Sequence, residues 1–60
     1  REYVVLLVEP DANGSIDGQP AEVFMRFTEQ PSDDFLGRIA TSNPGKRVYC
    51  LMGASTWHEH

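Results

Sequence analysis

The segment Tyr3-Val4-Val5-Leu6-Leu7-Val8 constrains this chain more than any other: six consecutive β-favouring or apolar residues in a protein of 60. An unbroken apolar run does not make a strand with one wet face; it makes the middle of a sheet that is covered on both sides. One short helix covers one face. The second face is therefore expected to need a partner, either a second copy of the chain or another protein.

Length makes the same demand. A chain of 60 residues is one domain, residues 1–60. A domain of this size buries only about 60% of the surface that its unfolded chain exposes. Small scaffolds usually compensate with disulfides, a metal or self-association. Cys50 is the sole cysteine, so no disulfide forms within the chain. A structural zinc needs about four ligands, and beyond carboxylates the sequence offers Cys50, His58 and His60, two of them at the C-terminal end. Self-association remains, and a homodimer is expected.

Nine acidic residues against five basic ones give a net charge of -4. Direct nucleic-acid binding needs clustered Lys and Arg, and here only Lys46 and Arg47 are adjacent. No stretch approaches the ~20 apolar residues of a membrane helix. The first apolar run is too short for a signal peptide and runs into Glu9-Pro10-Asp11 instead of a small-residue cleavage site. With a single unpaired cysteine, the expected compartment is the reducing cytoplasm.

Residues 2–9 read as the first strand. Residues 10–20 are turn-forming almost throughout, with hairpin pairs at Asn13-Gly14 and Asp17-Gly18, and read as a long, mobile connection in which Ile16 is a short apolar anchor. Residues 21–29 read as the second strand. There Ala21, Val23, Met25 and Phe27 form an apolar face, alternating with Glu22, Phe24, Arg26 and Thr28. Gln30-Pro31 breaks it. Ser32 stands at a helix N-cap, with Asp33 and Asp34 in the first turn. Phe35, Leu36, Ile39 and Ala40 share a helical face, and Asn43-Pro44-Gly45 ends the helix. Residues 46–52 read as the third strand, with Val48, Cys50 and Met52 facing one way and Tyr49 and Leu51 the other. Thr56-Trp57 adds a short extension.

A helix joining strands 2 and 3 implies a right-handed crossover between parallel strands. The most apolar strand belongs between them. The expected fold is α+β: a small β-β-α-β domain with a mainly antiparallel sheet in order 2-1-3 and one helix on one face. The other face is expected to expose alternate residues of strand 1, together with Phe24 or Met25 and with Tyr49 or Leu51. Such a patch is larger than monomers usually leave in water.

Three groups of residues invite a chemical reading. Asp11, Asn13, Ser15, Asp17 and Glu22 hold positions 1, 3, 5, 7 and 12 of a calcium loop, but the glycine needed at position 6 is Ile16 and no helix flanks the segment. His58 and His60, two residues apart, would share a metal in an extended chain; the competing reading is a frayed terminus. Cys50 would be a nucleophile only beside a group that lowers its pKa, and a small buried apolar role is commoner for a cysteine in a strand. No catalytic signature emerges, and no cofactor or metal site is expected.

The preferred reading is a non-catalytic protein-interaction module, a small inhibitor or regulator of the kind found among phage accessory proteins. It would dock on a partner protein by a sheet face or an exposed edge. Phe24, Tyr49 and Trp57 are its expected anchors, with Asp33 and Asp34 as an acidic rim. The alternatives are an acidic mimic that fills a nucleic-acid-binding cleft and a small metal-binding protein that uses the C-terminal histidines. The order β-β-α-β occurs in many unrelated domains and transfers no function by itself.

Overall fold

The computed structural model describes residues 2–52 in full and residues 56–59 as backbone. The apolar run becomes strand β1 (Tyr3–Val8), which occupies an interior position in the sheet. On one side it pairs antiparallel with β2 (Ala21–Phe27), on the other with β3 (Arg47–Met52). The helix α1 (Asp33–Ser42) connects β2 to β3, and a fourth strand, β4 (Thr56–Glu59), adds antiparallel to β3. The order β2-β1-β3-β4 contains the expected 2-1-3 arrangement, and the short extension at Thr56-Trp57 is a full strand.

The helix starts and stops where its local chemistry requires. Ser32 is the N-cap: its Oγ accepts the Phe35 N–H at 3.1 Å, and Asp33 and Asp34 sit in the first turn, where negative charge is favoured. At the other end Asn43 Nδ2 donates to the Ile39 carbonyl at 2.8 Å, satisfying a C-terminal acceptor. Gly45 then takes φ +84°, a left-handed conformation that admits glycine without strain, and turns the chain into β3.

One side of the sheet packs on α1. Val5 and Leu7 of β1, Val48 and Cys50 of β3, and Leu36 and Ile39 of α1 form a buried cluster, with Tyr3, Phe27 and Ala40 half-buried around it. The alternation expected in strand 3 is present, since Tyr49 belongs to the other side.

That other side is not the bare patch expected from the sequence. Leu6, Val8 and Tyr49 are buried there, with Val4 and Ile16 packed against them. Ile16 comes from the connection between β1 and β2, which folds back over the sheet. That connection is a hydrogen-bonded unit rather than an open, mobile loop. Asp11 Oδ1 accepts the N–H groups of both Asn13 and Ser15 at 2.9 Å, and the Asp11 N–H donates to the Ser15 carbonyl at 2.8 Å. Gln19 Nε2 donates to the Glu9 carbonyl at 2.9 Å, and Arg47 Nη2 reaches from β3 to the Gly14 carbonyl at 3.0 Å. The chain covers much of its own second face.

Strand β2 departs from simple alternation. Met25 pairs with Val5 and Val23 pairs with Leu6, so Phe24 is an extra residue between two consecutive pairs, a β-bulge. Cross-strand partners share a face. Met25 and Phe27 therefore stand on the helix side, with Val5 and Tyr3, whereas Val23 and Ala21 stand on the loop side, with Leu6 and Val8. The single apolar face expected for Ala21, Val23, Met25 and Phe27 is split in two by one inserted residue.

Candidate docking groove between the helix and strand β2

β2 is an edge strand, and α1 does not reach across it. Val23, Phe24 and Met25 remain 49%, 44% and 51% exposed, and Phe35 on the neighbouring helix 39%. Between strand and helix runs an open groove of about 440 Å³, lined by Phe24, Phe35, Arg38, Ile39, Ser42 and Asn43. The Phe35 ring is held edge-on against Phe27, with centroids 5.5 Å apart and planes at 87°. One aromatic wall is thus fixed by stacking, and the bulge brings Phe24 to the same groove.

Taking about 150–250 Å² for a large side chain, the exposures of Phe24, Met25 and Phe35 leave roughly 200–330 Å² of apolar surface on the helix side of the β2 edge, with Val23 exposed on the opposite, loop side. That reaches only the lower end of the largest patch on a typical monomer, about 300–600 Å². It falls short of the roughly 800 Å² that each partner contributes to a standard stable interface.

The expected site residues take different places. Phe24 lines the groove. Asp33 and Asp34 are exposed on the outer surface of α1, beside Gly37, Arg38, Thr41 and Ser42; Arg38 and Ser42 belong to both surfaces, so the acidic turn adjoins the groove. Tyr49, expected as an anchor, is only 5% exposed and packs in the cluster with Leu6 and Val8. It is core, because the β1–β2 connection closes over its face of the sheet. Trp57 sits on β4 opposite Leu51; only its backbone is among the described residues. His58 likewise has only its backbone described, and His60 lies outside the described residues, so the histidine metal reading falls outside them too. Sequence reasoning missed Phe35 as an exposed group, and it expected Phe24 or Met25 to be exposed where both are. The helical face that includes Phe35 is legible in the sequence, but where that face ends against β2 is not.

The acidic residues do not form one strip. Antiparallel pairing places Val8 beside Ala21 and Tyr3 beside Phe27. Glu9, Asp11 and Asp17 therefore lie towards the Val8 end of β1, whereas Glu29, Asp33 and Asp34 follow Phe27 at the Tyr3 end. Asp11 is committed to the turn, and Glu22 Oε1 accepts from Lys46 Nζ at 3.2 Å. These bonds give Asp11 and Glu22 structural roles in place of the calcium-loop reading. Among the described residues no group of three or more His, Cys, Asp and Glu side chains is placed to hold a metal ion.

Cys50 lies in the core under α1, and burial pushes its thiol above the ordinary value, away from a reactive thiolate. Among the described residues no helix is long and apolar enough to cross a membrane. Comparison with protein-family models, curated proteins and solved structures finds no match for this chain.

Proposed function

We propose that this chain is a non-catalytic protein-interaction module, a small inhibitor or regulator that docks on a partner protein through the β2 edge and the groove beside α1. The supporting observation is the distribution of apolar surface. Both faces of β1 carry buried residues within the chain, yet of the five exposed large apolar side chains among the described residues, Phe24, Met25 and Phe35 stay exposed on the helix side of the β2 edge, with Val23 on its loop side and Met52 on β3. Aromatic residues in a concave, largely apolar setting are the usual anchors of an interface. The action is steric: the module covers a surface that its partner needs free.

The sequence argument for a homodimer rested on an uncovered face of β1. The loop carrying Ile16 meets much of that need, and the bulge in β2 interrupts the regular edge that a second copy would pair with. The docking reading therefore favours a different protein. A photo-crosslinking amino acid at Phe24, and separately at Asn13 on the loop, tests it in the producing cells. A discrete adduct from position 24, absent from position 13, is the expected result. Equal labelling at both positions, or none at 24, refutes it.

A further inference from the structure

We infer that Asn13 is a site of spontaneous covalent modification, deamidation to isoaspartate, which the folded β1–β2 connection holds back and which, once made, loosens the cover of the sheet. Asn13 and Gly14 are both exposed on that connection. A glycine after asparagine leaves the following backbone nitrogen unhindered by any side chain. The other asparagine, Asn43, precedes Pro44, whose nitrogen has no proton to give up. The reaction therefore has one site in this chain.

The Gly14 nitrogen loses its proton to water or hydroxide and attacks Cγ of Asn13. The bond from Cγ to the side-chain nitrogen breaks, and that nitrogen leaves as ammonia with a proton from water. The product is a five-membered succinimide. Water then opens the ring. Attack at Cγ gives aspartate; attack at the backbone carbonyl gives isoaspartate, in which the main chain runs through the side-chain carbons.

The folded loop opposes the first step. The Gly14 N–H donates to the Asp11 carbonyl at 2.9 Å, which holds the proton on the attacking nitrogen. Neither Ala12 nor Asn13 has a positive φ, so Asp11 to Gly14 form a type I turn, whose third residue is held at ψ of about 0°. Ring closure needs the Gly14 nitrogen turned towards the Asn13 side chain, a different rotation about that bond. Asp11 Oδ1, bonded to the N–H groups of Asn13 and Ser15, and Arg47, bonded to the Gly14 carbonyl, keep the turn closed. Isoaspartate adds a methylene to the backbone inside this turn. It displaces the Gly14 carbonyl and the Ser15 N–H from those partners, and the next residue is Ile16, which covers Leu6, Val8 and Tyr49.

The test is incubation of the full chain at mildly alkaline pH, folded and unfolded in guanidinium chloride. Mass spectrometry follows the exchange of NH for O at position 13. Isomerisation at Asp17-Gly18 returns the water it releases, leaves the mass unchanged and does not mask the signal. The folded chain should react about tenfold or more slowly than the unfolded one. Asp11→Ala should speed the folded reaction roughly three- to tenfold. Asp11→Asn, whose amide oxygen still accepts both N–H groups, should stay within about twofold of the parent. The isoaspartyl form, separated by reversed-phase chromatography, should melt roughly 4–8 °C below the parent. Circular dichroism checks that the variants are folded, and the comparison of folded with unfolded parent does not depend on them. Equal rates for the folded and unfolded chain, or Asp11→Ala as slow as the parent, overturn the protection. An isoaspartyl form that melts with the parent overturns the link to the cover of the sheet.

Discussion

Ile16 is the residue whose replacement says most about how this chain folds alone. It is half-buried and is the apolar side chain of the β1–β2 connection that packs over Leu6, Val8 and Tyr49. Ile16→Ala removes three carbon groups. At about 0.8 kcal/mol per fully buried group, and with Ile16 only half-buried, the loss is about 1–1.5 kcal/mol. A chain of this length has a total stability of roughly 3–9 kcal/mol, so the loss is a substantial fraction. It should lower the melting temperature by about 5–10 °C. Ile16→Asp should act more strongly, since a carboxylate does not pack on that face without losing its water. It should lift the loop and wet three core residues.

Two assays read the consequence. Urea denaturation followed by circular dichroism gives the stability change. Sedimentation velocity across a dilution series should show a monomer for the parent chain and concentration-dependent association for Ile16→Asp. Ala12→Ser on the exposed part of the same loop is the control and should change neither. Were Ile16→Ala within about 0.3 kcal/mol of the parent, and Ile16→Asp still monomeric, the loop would not be the cover of that face. The argument that intramolecular cover replaces a dimer would then collapse.

Three further outcomes follow from the same structure. Leu36 is 1% exposed beneath the sheet, so Leu36→Ala should lose about 2–5 kcal/mol, a large part of the total stability, and urea melts should show a correspondingly large drop in the midpoint. Gly37→Ala and Gly45→Ala should move in opposite directions in urea melts. Gly37 is helical with open space where a Cβ would go, and should gain up to about 1 kcal/mol, whereas Gly45 at φ +84° should lose about that much. Because burial raises the Cys50 pKa, the folded chain keeps a thiol proton that the unfolded chain has already released. The stabilisation tied to that proton is complete below the ordinary thiol pKa and declines as pH rises above it, so alkaline urea melts should show a loss that Cys50→Ala lacks.

How much of this was legible in the sequence depends on whether a feature is local. The run from Tyr3 to Val8 announces an interior strand, because no other environment tolerates six such residues in a row. Ser32, the two aspartates after it and Asn43-Pro44-Gly45 mark the helix ends by chemistry that acts within one turn. The crossover rule then leaves few topologies, and order 2-1-3 follows. The bulge is different. Ala21 to Phe27 alternates cleanly as a string, and only pairing with β1 shows that the string contains one residue too many. Ile16 was readable as an anchor but not as a cover, because its target lies on two strands, one of them more than thirty positions away. Tyr49 was misplaced for the same reason.

The bulge and the loop together explain why the candidate site lies where it does. A regular β2 would place Ala21, Val23, Met25 and Phe27 all on one side of the sheet, and Glu22, Phe24 and Arg26 on the other. One inserted residue instead leaves Val23 on the loop side, rotates Phe24 to the helix side and leaves Met25 beside it. α1 is only ten residues long and packs Leu36 and Ile39 over β1 and β3, so it has no apolar residue left to cover these except Phe35 at its margin. The shortage of cover that the sequence implied for β1 is thus relocated rather than removed. The loop meets much of it on β1, and among the described residues most of the remainder surfaces at the β2 edge. There a bulge makes strand-on-strand pairing difficult and side-chain docking the available use of the exposed surface.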